Sequence, residues 1–150
     1  MSDMHEWAKT AADAIRPRIE ALKVEDDRTN QDQKQKRLQE AAMWEAISAK
    51  ALEGCNAINA QLGRPLLAWS RDSEKAILVV GRAGAKTVQV VAKFLPDDCA
   101  ILWDERRYNG VIEGGRLLFR MGSSGHPALD AEGMGKEIVT AALDKLKDTA

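Results

Sequence analysis

Ser123, Ser124 and His126 lie close together in the stretch Gly122-Ser123-Ser124-Gly125-His126-Pro127, and a serine beside a histidine is the pairing that nucleophilic catalysis uses. The surrounding residues argue against that use. The sharp strand-to-helix elbow G-x-S-x-G is missing. A loop with glycine at both ends of the serine pair holds neither group still, and a misplacement of ~1 Å can lower a rate about 10²-fold. His126 therefore reads as a solvated loop histidine. His5, near the start of the chain, reads as exposed.

Glycines suggest phosphate chemistry at two places. Gly81-Arg82-Ala83-Gly84-Ala85-Lys86 resembles part of a phosphate loop, but the lysine comes late. Thr87 does follow the lysine, but only two residues separate the glycines where the motif has four, and the following pattern is a strand's rather than a helix's. A hairpin turn explains it. Gly133-Met134-Gly135-Lys136 precedes a helical pattern, and helix N-termini attract anions. A single glycine pair is better explained as the turn into that helix.

Metal and acid–base chemistry find little support. Two histidines and two cysteines, Cys55 and Cys99, stand far apart without the paired spacing of a zinc site. Asp97 and Asp98 precede an apolar run and Asp104 and Glu105 follow it. An extended run separates Asp98 from Asp104 by roughly 20 Å at about 3.3 Å per residue, so the two pairs do not converge. The sequence names no catalytic residue, no metal ligand and no cofactor. Arg106, Arg107, Arg116 and Arg120 form the best candidate for a basic patch. Nucleic-acid platforms interleave such charge with several aromatics, and Tyr108 stands alone here. Charge that keeps an open sheet face solvated is the simpler account, and nucleic acid is a weak expectation. Trp7, Trp44, Trp69 and Trp103 read as core or interface anchors.

Composition sets outer limits. At 150 residues with a formal net charge of −1, one domain without general affinity for polyanions is expected. No run approaches the ~18 apolar residues of a membrane span, and the polar first thirty residues do not resemble a secretory signal. Two cysteines on apolar patterns fit small core hydrophobes in a reducing cytoplasm.

The elements follow from spacing. Met4, Trp7, Ala8, Ala11, Ile15, Ile19 and Leu22 recur three and four apart, which predicts a first helix over residues 3–24, kinked at Pro17. Residues 25–29 carry charge and no large apolar side chain, and read as a connection. Asn30 with Gln33 fits a capping box for a second helix, whose stripe is Ala41, Trp44, Ile47, Ala51, Cys55, Ile58 and Leu62. Gly63 and Pro65 close it. The two helices are expected to form an antiparallel hairpin over residues 1–62, with Trp7 meeting Trp44. Residues 38–62 alone span ~37 Å at about 1.5 Å per residue, longer than strands of roughly 20–26 Å. The excess is expected to lie on the first helix or on another chain.

Short strands follow over residues 65–130: 66–70, 75–80, 86–94, 99–103 and a hairpin over 111–121 across Gly114-Gly115. That turn sets Glu113 opposite Arg116 and Ile112 opposite Leu117. Residues 71–73, 81–85 and 96–98 read as turns, 104–109 as a polar loop, and 128–129 as a brief last strand. A closing helix is expected over residues 134–148. Connections this short force antiparallel pairing. The fold class is therefore α+β: a helical hairpin and a C-terminal helix on one face of a five- or six-stranded antiparallel meander.

Function is less legible. The leading expectation is a non-enzymatic protein–protein interaction module, including a homodimer through the long N-terminal helices or the open sheet face. Its interface candidates are Trp7, Trp44, Val91, Val111 and Leu118. The alternatives are a small-molecule binder or enzyme with its pocket between helices and sheet, and, more weakly, nucleic-acid binding through the outer-face arginines. A membrane partner is not expected.

Overall fold

A computed structural model of the protein describes residues 2–104, 106–122 and 126–148. Expectations resting on Glu105, Ser123 and Ser124 lie outside the described residues. The chain falls into two compact units, Met1–Lys34 and Gln35–Ala150. The elements run in the order α1 (Ser2–Leu62), β1 (Leu67–Ser73), β2 (Ala76–Ala83), β3 (Lys86–Leu95), β4 (Ala100–Trp103), β5 (Arg106–Glu113), β6 (Arg116–Met121) and α2 (Ala131–Lys147).

The first unit is helical throughout its described residues, and α1 continues without interruption from Ser2 to Leu62. The expected hairpin is thus replaced by one helix, and the pairing of Trp7 with Trp44 goes with it. Residues 25–29 carry charge but neither glycine nor proline, so nothing in them breaks a helix. Thr29 Oγ1 donates to the Glu25 carbonyl at 3.0 Å, one turn back. Asn30 and Gln33 lie mid-helix rather than at a cap. Pro17, which removes one backbone donor, is absorbed inside α1.

The second unit holds the sheet. Its strand order is β1-β2-β3-β4-β5-β6, every neighbour antiparallel, as the short connections require. Two-residue turns set the register. Gly114 and Gly115 take φ 58° and 76°, the left-handed pair of a type I′ turn, and Glu113 pairs with Arg116 and Ile112 with Leu117. Gly84, at φ 62°, joins Ala83 to Lys86.

Several strands are longer than their apolar content suggests. Residues 71–73 belong to β1, which carries a bulge between Arg71 and Ser73. Residues 106–109, expected as loop, begin β5, with Tyr108 opposite Ile101. Their polarity fits because Arg107 and Asn109 alternate onto the face that carries charge. Cys99 lies in the turn before β4 at φ 47°. The brief strand at residues 128–129 reduces to one bridge, Leu129 with Phe119.

One face of the sheet is the core face. Ile77, Val79, Val90, Ala92, Ile101 and Phe119 are fully buried there, in one cluster with Trp44, Ile47 and Ala51 of α1 and Met134, Ile138 and Ala142 of α2. Trp103 stacks on Tyr108 with ring centroids 4.5 Å apart, and Tyr108 donates to Glu137 Oε2 at 3.2 Å. The last residues of α1 close in a Schellman pattern: Gly63 N donates to Ala60 O at 3.3 Å and Arg64 N to Asn59 O at 3.2 Å.

Helix α2 starts three residues before its expected bound. Asp130 caps it by accepting from Gly133 N at 2.8 Å, so Gly133 and Gly135 lie inside the helix rather than in a turn before it. Gly135 has a packing reason. A Cβ there would stand 2.8 Å from the backbone carbon of Lys50 and 2.9 Å from the backbone nitrogen of Ala51. At the other end of α2, Lys145 Nζ donates to Gln89 O and to Asp104 Oδ1, each at 2.8 Å.

Candidate interaction surfaces

Each sheet edge is closed locally by an amide side chain from α1. Gln39 accepts from Leu117 N at 2.8 Å and donates to Gly115 O at 2.9 Å. Phe119 exchanges hydrogen bonds with Leu129 at 2.9 and 2.7 Å. At β1, Asn59 donates to Leu67 O at 2.8 Å and accepts from Leu67 N at 2.9 Å. Unpaired strand edges invite other chains, and these contacts occupy part of each edge.

The arginines divide between faces. Arg106 pairs with Trp103, whereas Arg107 pairs with Leu102, and alternation sends the two to opposite sides of the sheet. Arg107 Nε donates to Asn109 Oδ1 at 2.8 Å and its guanidinium lies 3.7 Å from Asp98. Arg120 pairs with Glu113. Arg116 and Arg120 stand on the outer face, as the hairpin register requires. Carboxylates accompany Arg107 and Arg120, so the positive charge is partly neutralised where it gathers.

The interface candidates also separate. Trp44 is buried, stacks on Phe94 at 5.4 Å and donates through Nε1 to Glu74 O at 2.9 Å. Val91 and Val111 are half-buried on the outer face, and Leu118, paired with Val111, is 9% exposed. Trp7 alone among them is open, at 67%.

Trp7 has apolar company. Every described side chain of residues 3–34 is exposed, including Met4 (68%), Ile15 (54%), Ile19 (53%) and Leu22 (44%). At 3.6 residues per turn Met4, Trp7, Ala8, Ala11, Ile15, Ile19 and Leu22 form one stripe. Pro17 lies nearly opposite. Sequence spacing identifies this stripe, but assigns it to a neighbouring helix that does not exist.

Shallow grooves mark the surface of the second unit. One of ≈ 500 Å³ runs past Glu40, Trp44, Glu45, Arg71, Glu74 and Phe94. Arg71 pairs with Glu45 across it. Glu40 Oε2 is buried without a hydrogen-bond partner. Burial raises the Glu40 carboxyl above its usual range, Arg37 opposes the shift and Asp97 adds to it. A hollow of ≈ 100 Å³ lies beside His126, Tyr108 and Glu137, below the ~300 Å³ at which small-molecule sites usually begin. Cys55 and Cys99 are free thiols, each raised to about 11, chiefly by burial, so neither is poised as a nucleophile.

Among the described residues, no cluster of three or more metal-ligating side chains forms, and no helix is long and apolar enough to cross a membrane. Comparison with protein-family models, with curated proteins and with solved structures returned no match.

Proposed function

We propose that the protein is a non-enzymatic protein–protein interaction module whose docking element is the apolar stripe of residues 4–22. The observation that carries this reading is the exposure of Met4, Trp7, Ile15, Ile19 and Leu22 along one helical face. Contiguous apolar surface on a folded protein marks contact sites, and an amphipathic helix docks through anchors three and four residues apart. The counterpart such a stripe fits is another apolar helical face, because a narrow ridge of side chains packs into the groove between ridges.

The test is site-specific photocrosslinking in the cells that make the protein. A photoreactive residue replacing Trp7 or Ile15 is expected to trap protein adducts; one replacing Lys9 or Glu20, on the opposite face, is not. Equal yields from both faces, or none from either, overturn the reading.

A second reading draws on the Glu40 groove. A compact ligand that donates a hydrogen bond would satisfy the lone Glu40 oxygen, and amines are the natural class. Thermal-shift screening of amines against the protein and Glu40→Gln tests it. A flat response, or equal shifts in both proteins, sets it aside.

A further inference from the structure

We infer that the counterpart of the docking stripe is the same stripe on a second copy of this chain, running antiparallel about a two-fold axis near residue 13. The inference rests on the docking reading above and goes further by naming the partner and its direction.

Charge is the first argument. Residues 3–13 hold Asp3, Glu6 and Asp13 against Lys9, a net −2. Residues 16–23 hold Arg16, Arg18 and Lys23 against Glu20, a net +2. An antiparallel pair sets each acidic half beside a basic half. A parallel pair sets like against like, which disfavours it.

Layer matching is the second. On a seven-residue repeat, Ala8, Ile15 and Leu22 occupy the a positions and Met4, Ala11 and Arg18 the d positions. In an antiparallel pair each a faces a d. Centred on residue 13, the layers are Met4 with Leu22, Ala8 with Arg18, and Ala11 with Ile15. Met4 and Leu22 then close each end of the seam, and Ile15 packs over the small Ala11. Trp7 flanks the small Ala21, and Ala14 flanks its own copy. The Arg18 layer decides direction. In a parallel pair two Arg18 side chains face each other in the seam. In the antiparallel pair each lays its aliphatic stem on Ala8 and keeps its guanidinium in water. Pro17 falls at an outer position, so its missing donor and its bulk stay out of the seam.

The fold supplies a clean test, because the native thiols are buried, Cys55 at 1% exposed and Cys99 at 5%, and leave engineered ones to report alone. Met4 and Leu22 are exposed, so Met4→Cys and Leu22→Cys remove no core contact. Within one chain these positions lie ~27 Å apart along a helix at 1.5 Å per residue, so they cannot bridge internally.

The full chain carrying both substitutions is expected to oxidise to a covalent dimer, while either single variant stays unlinked. Light scattering of the wild type should rise from one chain mass to two across the micromolar range, and Ile15→Glu should abolish that rise. Single variants linking as fast as the double variant would overturn the antiparallel arrangement. A wild type that stays monomeric at every concentration would overturn self-pairing. In either case adducts trapped from Trp7 or Ile15 would still stand for docking, so the two readings fail separately.

Discussion

Two stretches of α1 carry the same apolar spacing and meet opposite fates. Met4, Trp7, Ile15, Ile19 and Leu22 are 44 to 68% exposed, whereas Trp44, Ile47, Ala51 and Cys55 are 3% exposed or less. Periodicity reports that a helix has an apolar face. It does not report what covers the face. In the second stretch the cover is supplied by strands that lie later in the sequence, and each large side chain gains ~1.5–3 kcal/mol by leaving water. In the first stretch that gain is still outstanding, and for this reason a partner is expected there.

The contrast breaks most easily at the tryptophans. Trp103→Ala is expected to cost ~3–5 kcal/mol, as large-to-small changes in a close-packed core do, whereas Trp7→Ala should leave the urea midpoint of the sheet unit where it was. A comparable loss from both would mean that Trp7 is covered in the folded protein.

Gly135→Ala comes next. Its Cβ meets backbone atoms of Lys50 and Ala51, which cannot rotate away, so a loss of ~1–3 kcal/mol is expected by equilibrium unfolding. A neutral result would show that the two helices separate at little cost.

Asp130→Ala removes the cap of α2 and is expected to cost about 1 kcal/mol, with Asp130→Asn retaining most of it. Faster amide exchange confined to the first turn of α2 would locate the effect.

The smallest effect sharpens the contrast by pH. Burial raises the Cys55 and Cys99 thiols from 9.0 to about 11, and burial also raises Tyr108, with the nearby Glu137 charge adding to the shift. A raised acid holds its proton in the folded state after the unfolded chain has lost it. Stability from these groups is therefore complete below pH 9 and declines as pH rises towards about 11. The urea midpoint should fall over that window, and Cys55→Ala should flatten the slope. The exposed stripe, which holds no thiol or tyrosine, contributes nothing to it.

Much of the sheet was legible because its determinants are local. Gly114-Gly115 dictates a turn with two positive φ angles, and the turn dictates which residues face each other over the next several positions. Residues 106–109 misled for a physical reason: on a strand with one charged face, polarity does not mark a loop. Gly133 and Gly135 misled similarly, since a glycine inside a helix looks like a turn until the helix that crosses it is known. The exposed stripe was half legible. Spacing identifies Trp7 and its companions, yet points them at a helical neighbour because residues 25–29 lack apolar side chains. A helix needs no apolar residue to continue; it needs only the absence of a breaker.

By itself, then, the chain's order of residues determined what depends on near neighbours: helical and strand periods, the tight turns, antiparallel pairing through short connections, and an apolar ridge near the N-terminus. Tertiary structure alone decided which ridge is covered, how closely α2 approaches α1 at Gly135, and which polar side chains close the sheet edges. Those outcomes depend on contacts between residues far apart in the chain, and side-chain spacing carries no information about what arrives from a distance.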